Sequence, residues 1–138
     1  MNEAINHIFA QLQEPFHPTL VTWRVTSQNQ VEAQADLRAY QNRLNEVCGL
    51  DWSVSYTPWG DRLICHITIK GVTRSSTGST EHEAFVNASA MFGLGRYLQN
   101  LPSCPVEYDA DTLQLTERAT KRLTGIVNTH YQNYFKNQ

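Results

Sequence analysis

The chain has 138 residues, 41% of them hydrophobic and 17% charged, with a formal net charge of −2 at pH 7. This length suits one domain around one hydrophobic core, and the composition excludes an intrinsically disordered chain. The sequence has no apolar run of the roughly 18 residues that a membrane span needs. Its N-terminus, MNEAINHIFAQLQEPF, lacks the basic and apolar regions of a secretion signal. We expect a cytoplasmic protein, in which a nucleic-acid partner would require localised positive charge.

The N-terminal third predicts a short helix followed by extended chain. Apolar residues recur at helical spacing from Ile5 to Leu12, and Pro15 ends the pattern. The segment LVTWRVT (20–26) alternates like a strand, and SQNQ after it is typical of a turn. VEAQADL then returns as a second strand or leads into the next helix.

A second helix and a sheet are predicted next. Asp36 is a candidate N-cap, an apolar stripe runs from Leu37 to Val47, and Gly49 suits a helix end, which predicts a helix over 37–48. WSVSY, RLICHITIK and VTRSST, separated by TPWGD and by a tight turn at Gly71, predict a three-stranded antiparallel meander. The residues predicted at its hairpin tips are Trp59, Arg62, Lys70 and Arg74.

The helix predicted over 80–98 ends in an unusual stretch, GLGRY. Thr80 and Glu83 form a capping box at its start. Gly93 and Gly95 each cost about 1 kcal/mol relative to alanine inside a helix, so they indicate a kink or the close approach of another backbone. Alternatively, the small residues direct Arg96 toward a neighbour or a ligand. The predicted buried stripe is Ala84, Phe85, Ala88, Met91 and Phe92.

The C-terminal third predicts a loop, LPSCP, and a last helix capped by Thr116. Its predicted apolar face is Leu123, Ile126, Val127, His130, Tyr131 and Tyr134, and its first turns carry the basic residues Arg118, Lys121 and Arg122. The fold class is α+β: the meander packs on a long helix as a βββα core, with flanking helices.

The sequence carries no catalytic or metal-binding signature. It has no paired carboxylates, nucleophile elbow or phosphate-binding loop, and its five histidines are scattered. His66 lies in a predicted strand, where a residue of the sheet surface is the ordinary interpretation. The three cysteines, Cys48, Cys65 and Cys104, show neither metal-ligand spacing nor a disulfide framework, so we interpret them as buried reduced thiols.

Several blocks in order, PF-(x)4-VTWR, ADLRAYQNRLNEVCG-(x)2-W, DRLICHITIKGVTRSSTG and EAFVNASAMFGLGRYLQNLP, cover residues 15 to about 102. Together they resemble the Rad fifty-two and Rad twenty-two type of single-strand annealing proteins, and most closely the shorter bacterial and phage DdrA-like branch. The resemblance implies subunits assembled into rings or arcs. It further implies single-stranded DNA bound in a basic groove and complementary strands paired without covalent chemistry, ATP or another cofactor.

The resemblance also implies which residues contact DNA. Arg38 matches the arginine that opens the family's first core helix, and Lys70 matches a region where some members carry a DNA-contacting lysine. Larger members carry an adjacent lysine and arginine where this chain has Val86 and Asn87. Either DNA affinity is reduced, or the missing charge is replaced from nearby positions by Arg96, Arg74 and Arg62.

Three further candidates each have a second interpretation. Arg43, like Arg38, binds DNA or belongs to a solvated helix face. Trp59 stacks on a base or packs on the next subunit, and Tyr40 stacks on a base or lies in the core.

Two rival functions stay open. A double-stranded-RNA-binding module shares the α-β-β-β-α order, although EHEAFVNA lacks the lysines that usually begin its last helix. An annealing fold that has lost DNA binding would serve as an interaction platform. The favoured function is annealing in recombinational repair or phage recombination, with DNA-end protection. Its expected partners are single-stranded DNA, further copies of the chain, and a recombinase or single-strand-binding protein.

Overall fold

The computed structural model describes residues 2–26, 30–101, 108–109 and 114–136, so parts of the SQNQ and LPSCP predictions and Cys104 lie outside it. Four helices and seven strands are described: α1 (Asn2–Leu12), β1 (Val21–Val25), β2 (Val31–Ala35), α2 (Leu37–Cys48), β3 (Trp52–Trp59), β4 (Arg62–Ile69), β5 (Val72–Gly78), α3 (Glu81–Ala90), β6 (Tyr108–Asp109), β7 (Gln114–Leu115) and α4 (Glu117–Lys136). The predicted α+β class is confirmed. Within the described residues, no helix is long and apolar enough to span a membrane.

The chain forms two compact units. The first unit contains Met1–Glu14 and Leu37–Tyr97, and the second contains Pro15–Asp36 and Leu98–Gln138. All six cationic residues predicted to bind DNA belong to the first unit.

The sheet of the first unit is the predicted antiparallel meander, in the order β3-β4-β5. Strand β3 continues through Trp59, so the turn contains only Gly60 and Asp61 rather than all of TPWGD. The second turn is Lys70–Gly71, with positive φ angles of 49° and 83°. Both residues of this two-residue hairpin loop therefore adopt the backbone that matches the twist of the flanking strands.

Helix α3 covers one face of this sheet. The buried residues of β4 are Cys65, Ile67 and Ile69, and those of α3 are Ala84, Phe85, Ala88 and Ser89. Tyr40 and Trp52 each meet the Phe85 ring edge-on, with 6.4 Å between ring centroids. The apolar residues of the sheet and of the helices thus pack together in one core.

Helix α3 is shorter than predicted, since it ends at Ala90 and a 3-10 helix follows over Arg96–Asn100. Gly93 and Gly95 lie between the two with φ angles of 90° and 71°, which an α-helix cannot contain. The prediction that Met91 belongs to the buried stripe is wrong, because the chain turns there and leaves Met91 48% exposed.

The second unit packs α4 on the β1–β2 hairpin. Its core contains Val31, Ala119 and Leu123, with Trp23 and Ile126 partly buried against them. VEAQADL therefore contains a strand, and the predicted Thr116 cap is confirmed, since its hydroxyl accepts from the Ala119 N–H at 3.2 Å.

Candidate nucleic-acid interface

Trp59 and Arg62 lie side by side at the end of the β3–β4 hairpin. They are directly opposed in the antiparallel register, and Trp59 is 61% exposed. The Arg62 guanidinium lies 3.8 Å from a Glu83 carboxylate oxygen. An exposed pair at this distance is weak, so Arg62 can exchange Glu83 for another anion next to an accessible aromatic ring.

Lys70 occupies the opposite end of the sheet and is held by Asp51. The Lys70 ammonium lies 3.0 Å from the Asp51 carboxylate, and its backbone N–H donates to the Asp51 carbonyl at 3.0 Å. Lys70 is the only non-glycine residue with a positive φ among the described residues. The lysine predicted to contact DNA therefore also stabilises a tight turn.

Arg74 does not lie at a hairpin tip as predicted. It is opposite Ile67 inside β5, on the side of the sheet that α3 covers. Its guanidinium carbon lies 5.9 Å from the centroid of the Phe92 ring, a cation–π geometry. The side chain is exposed beyond this contact.

Helix α2 carries two of the predicted arginines in different environments. Arg38 is exposed at its first turn. Arg43 is half-buried and donates to the carbonyl oxygens of Gln11 and Glu14, at 3.3 and 2.6 Å. Helix α1 ends between those two carbonyls, so Arg43 stabilises the end of α1. Arg43 therefore does more than lie on a solvated helix face.

Tyr40 lies in the core and offers no face for stacking. The ring is 1% exposed, so the core interpretation of Tyr40 holds and the prediction of base stacking by its ring is wrong. Burial, followed by the nearby Tyr97, raises the pKa of Tyr40 well above its usual range. The hydroxyl therefore stays protonated at every pH at which DNA binding would be studied.

The GLGRY stretch brings its arginine to the surface. Gly95 is buried and contacts Tyr40, and Arg96 directly after it is exposed. Among the described residues, Arg96 has no ion-pair partner. It is thus a cation of the first unit that can pair with an external anion without breaking a salt bridge.

The positions where the resemblance expects a basic pair carry out a packing role. Val86 and Asn87 are half-buried on α3. The Asn87 amide donates to the Thr77 carbonyl at 2.9 Å, which ties α3 to β5. This point of α3 therefore supplies no positive charge.

One surface escaped the sequence interpretation: the sheet face opposite α3, which we name the hydroxyl face. The register and the alternation of side chains place seven hydroxyl residues on it. They are Ser53, Ser55, Thr57, Thr68, Thr73, Ser75 and Thr77, with Ile64, His66, Trp59 and Arg62 completing the face. The sequence signal was the alternation of Ser and Thr in WSVSYTPW and VTRSSTG.

His66 occupies the centre of the hydroxyl face and connects its three strands. Its Nε2 lies 2.9 Å from the Thr57 hydroxyl of β3, and its Nδ1 lies 2.7 Å from the Ser75 hydroxyl of β5. Thr68 and Thr73 share a further hydrogen bond of 2.7 Å. His66 is thus a residue of the sheet surface, as interpreted, within a hydrogen-bonded network.

The sheet of the first unit presents exposed cations near its ends and hydroxyl groups across one face. In the part of the chain that the structure describes, no three His, Cys, Asp or Glu side chains gather as a metal site requires. Cys48 and Cys65 are buried free thiols. Cations at the edges and hydroxyl groups across one face suit contacts with phosphates.

Curated proteins similar to this chain include two from Deinococcus. Single-stranded DNA-binding protein DdrA of Deinococcus radiodurans is 28% identical over 126 residues, covering 76% of this chain and 61% of the relative. The protein of the same name from Deinococcus deserti is 31% identical over 120 residues, covering 71% of this chain and 59% of the relative. The chain spans about three-fifths of the length of these relatives. The predicted likeness to DdrA is confirmed, and no family model matches the chain.

Proposed function

We propose that this protein binds single-stranded DNA. The observation that carries the proposal is its similarity to two proteins named single-stranded DNA-binding protein DdrA, along most of this chain. The first unit adds exposed cations at Arg38, Arg74 and Arg96 and an exposed aromatic ring at Trp59. Phosphate contacts by cations and stacking of bases on aromatic rings are the two general means of holding a single strand.

We further propose that copies of the chain form a ring that anneals complementary strands, as a Rad fifty-two and Rad twenty-two type protein would. Annealing needs cations on the backbone while base edges stay accessible. A ring repeats a few cations with each subunit, so a chain of net charge −2 can still form a continuous basic path. The proposed setting is recombinational repair or phage recombination in the cytoplasm, at the nucleoid. DNA-end protection and contact with a recombinase or single-strand-binding protein belong to the same proposal, which involves no covalent chemistry and no ATP.

The proposed contacts differ in their surroundings. Arg96, Arg38 and Arg74 are exposed, and we propose that they contact phosphates. Arg62 and Lys70 contribute after exchanging their carboxylate partners. We assign Arg43 to the stabilisation of α1 rather than to DNA.

The test is a gel-shift comparison of single-stranded DNA, duplex DNA and duplex RNA, followed by annealing of complementary oligonucleotides with and without ATP. We expect preference for single strands and annealing that does not depend on ATP. Binding without annealing would limit the function to strand binding. Preference for duplex RNA would instead support the RNA-binding module, whose α-β-β-β-α order the first unit has in α2 to α3.

An interaction platform is the second candidate. The pairing of Lys70 with Asp51 and of Arg62 with Glu83, and the absence of a basic pair at Val86 and Asn87, reduce the charge left for phosphates. Failure to bind any of the three nucleic acids would favour this candidate.

A further inference from the structure

We infer that the hydroxyl face is the surface on which the sugar–phosphate backbone of the single strand lies, with His66 at its centre. The inference rests on the proposed function and names the contact surface. It places the strand on the sheet face opposite α3, away from Val86 and Asn87.

The charge distribution supports this location. The chain has 13 acidic residues, yet none of the positions of the hydroxyl face is Asp or Glu. At its rim, Asp51 and Glu83 pair with Lys70 and Arg62, and Asp61 lies in the turn beyond Arg62. A phosphodiester can therefore lie along these strand positions without meeting a carboxylate of the face itself, and Arg62 stands at the end next to Trp59.

The hydrogen-bond network leaves donors for an anion. A neutral imidazole has one N–H, and the hydroxyl that accepts from it keeps its own hydrogen free to donate elsewhere. Whichever ring nitrogen of His66 carries the hydrogen, either Thr57 or Ser75 therefore has an O–H available for a phosphate oxygen. Because His66 also fixes the position of both oxygens, binding needs little further ordering of these side chains.

The small side chains allow a close approach. Ser53, Ser55 and Thr73 are exposed, and their hydroxyls stand directly on the pleated backbone. A strand lying across these rows reaches Trp59 at the end of the sheet, where its ring can stack on a base. Hydroxyl contacts hold phosphate and sugar without reading sequence, so this surface suits sequence-independent binding.

The deciding experiment adds carboxylates to the hydroxyl face. The variant Ser55→Glu with Ser75→Glu is compared with a control of equal charge, Gln132→Glu with Asn133→Glu, at exposed positions of α4. With oligothymidylate at low salt, we expect the first variant to bind roughly tenfold or more weakly and the control to change by less than about twofold. Circular dichroism and urea unfolding establish that both variants are folded.

A measurement on the unmodified protein keeps the test independent of folding. Addition of oligothymidylate should shift the imidazole NMR signals of His66 and leave those of His7 in α1 unchanged. Wild-type affinity in the Ser55→Glu/Ser75→Glu variant, or an unmoved His66, would overturn the location and leave strand binding intact. Absence of binding by the wild type would overturn the proposed function itself.

Two further ligands identify what the hydroxyl face recognises. Equal binding of oligouridylate would support a backbone contact shared by DNA and RNA. If inorganic phosphate alone reproduced the His66 shift, the surface would bind a free anion, and the assignment to a strand would be wrong.

Discussion

The Tyr40 ring occupies the space that a side chain at Gly95 would need. A Cβ built on Gly95 would lie 2.6 Å from Tyr40 Cε2 and 2.7 Å from its hydroxyl oxygen. Tyr40 cannot easily move, because it is buried and meets Phe85 edge-on. The prediction of a close approach in GLGRY therefore holds at Gly95. The group that approaches Gly95 is a side chain of α2, however, and not another backbone.

The first prediction concerns Gly95→Ala. The substitution combines a left-handed backbone, with φ of 71°, and a clash with a buried ring. We expect it to lower the free energy of unfolding by about 2 to 4 kcal/mol. The control is Gly49→Ala, where φ is 58° and the space is open, with an expected loss of about 1 kcal/mol. Urea unfolding measures both, and equal losses would contradict a role for Tyr40.

The second prediction concerns Arg43→Ala. Removing the guanidinium leaves the Glu14 and Gln11 carbonyls without a charged donor, so we expect a loss of about 1 to 3 kcal/mol in the free energy of unfolding. Affinity for single strands, measured on folded protein, should be unchanged. The matched control is Arg24→Ala in the exposed pair with Glu32, expected to cost about 1 kcal/mol or less. If Arg43→Ala bound DNA more weakly while remaining as stable as the wild type, Arg43 would be a DNA-contacting residue.

The sequence was sufficient for elements that local signals determine. Helix α2 has the predicted bounds because its stripe and Gly49 are both local, and Gly49 has the expected φ of 58°. The start of α3 was visible in the Thr80 cap, which accepts from the Glu83 N–H at 3.1 Å. The Glu83 carboxylate also accepts from the Ser79 hydroxyl, at 2.7 Å.

The end of α3 could not be predicted, because a long-range contact determines it. The apolar periodicity continues past Ala90, but the packing of Tyr40 against Gly95 requires the chain to turn. The hydroxyl face was missed for a different reason. Ser and Thr carry no motif, so only the strand register shows that His66 lies between Thr57 and Ser75.

The third prediction concerns Arg38→Ala. If Arg38 contacts one phosphate, its removal should weaken binding to single strands and reduce the slope of log affinity against log salt by about 0.7 per subunit contact. Lys121→Ala is the control, since Lys121 is exposed in the second unit and pairs with Glu117 at 3.5 Å. An unchanged slope in Arg38→Ala would locate the phosphate contacts elsewhere.

The fourth prediction concerns assembly. A ring of annealing subunits should scatter light with a mass many times the 15.7 kDa of one chain. Dilution and salt titration should not yield a folded monomer that retains annealing activity. A strictly monomeric protein that still anneals strands would overturn the ring.

The fifth prediction concerns the alkaline stability of the core. Burial raises the pKa of Cys65 to about 11, against a smaller lowering by the Tyr56 side chain. In the unfolded chain the thiol titrates near its ordinary pKa of about 8.5, so between these values the unfolded state has lost a proton that the folded state keeps. The unfolded state is therefore favoured as pH rises, and this group should lower the stability by at most about 1.4 kcal/mol per pH unit. Urea unfolding from about pH 8.5 to 10, below the range where tyrosines dominate, should show a shallower decline for Cys65→Ala. If stability declined equally steeply with pH in both proteins, burial would not be raising the pKa of the Cys65 thiol.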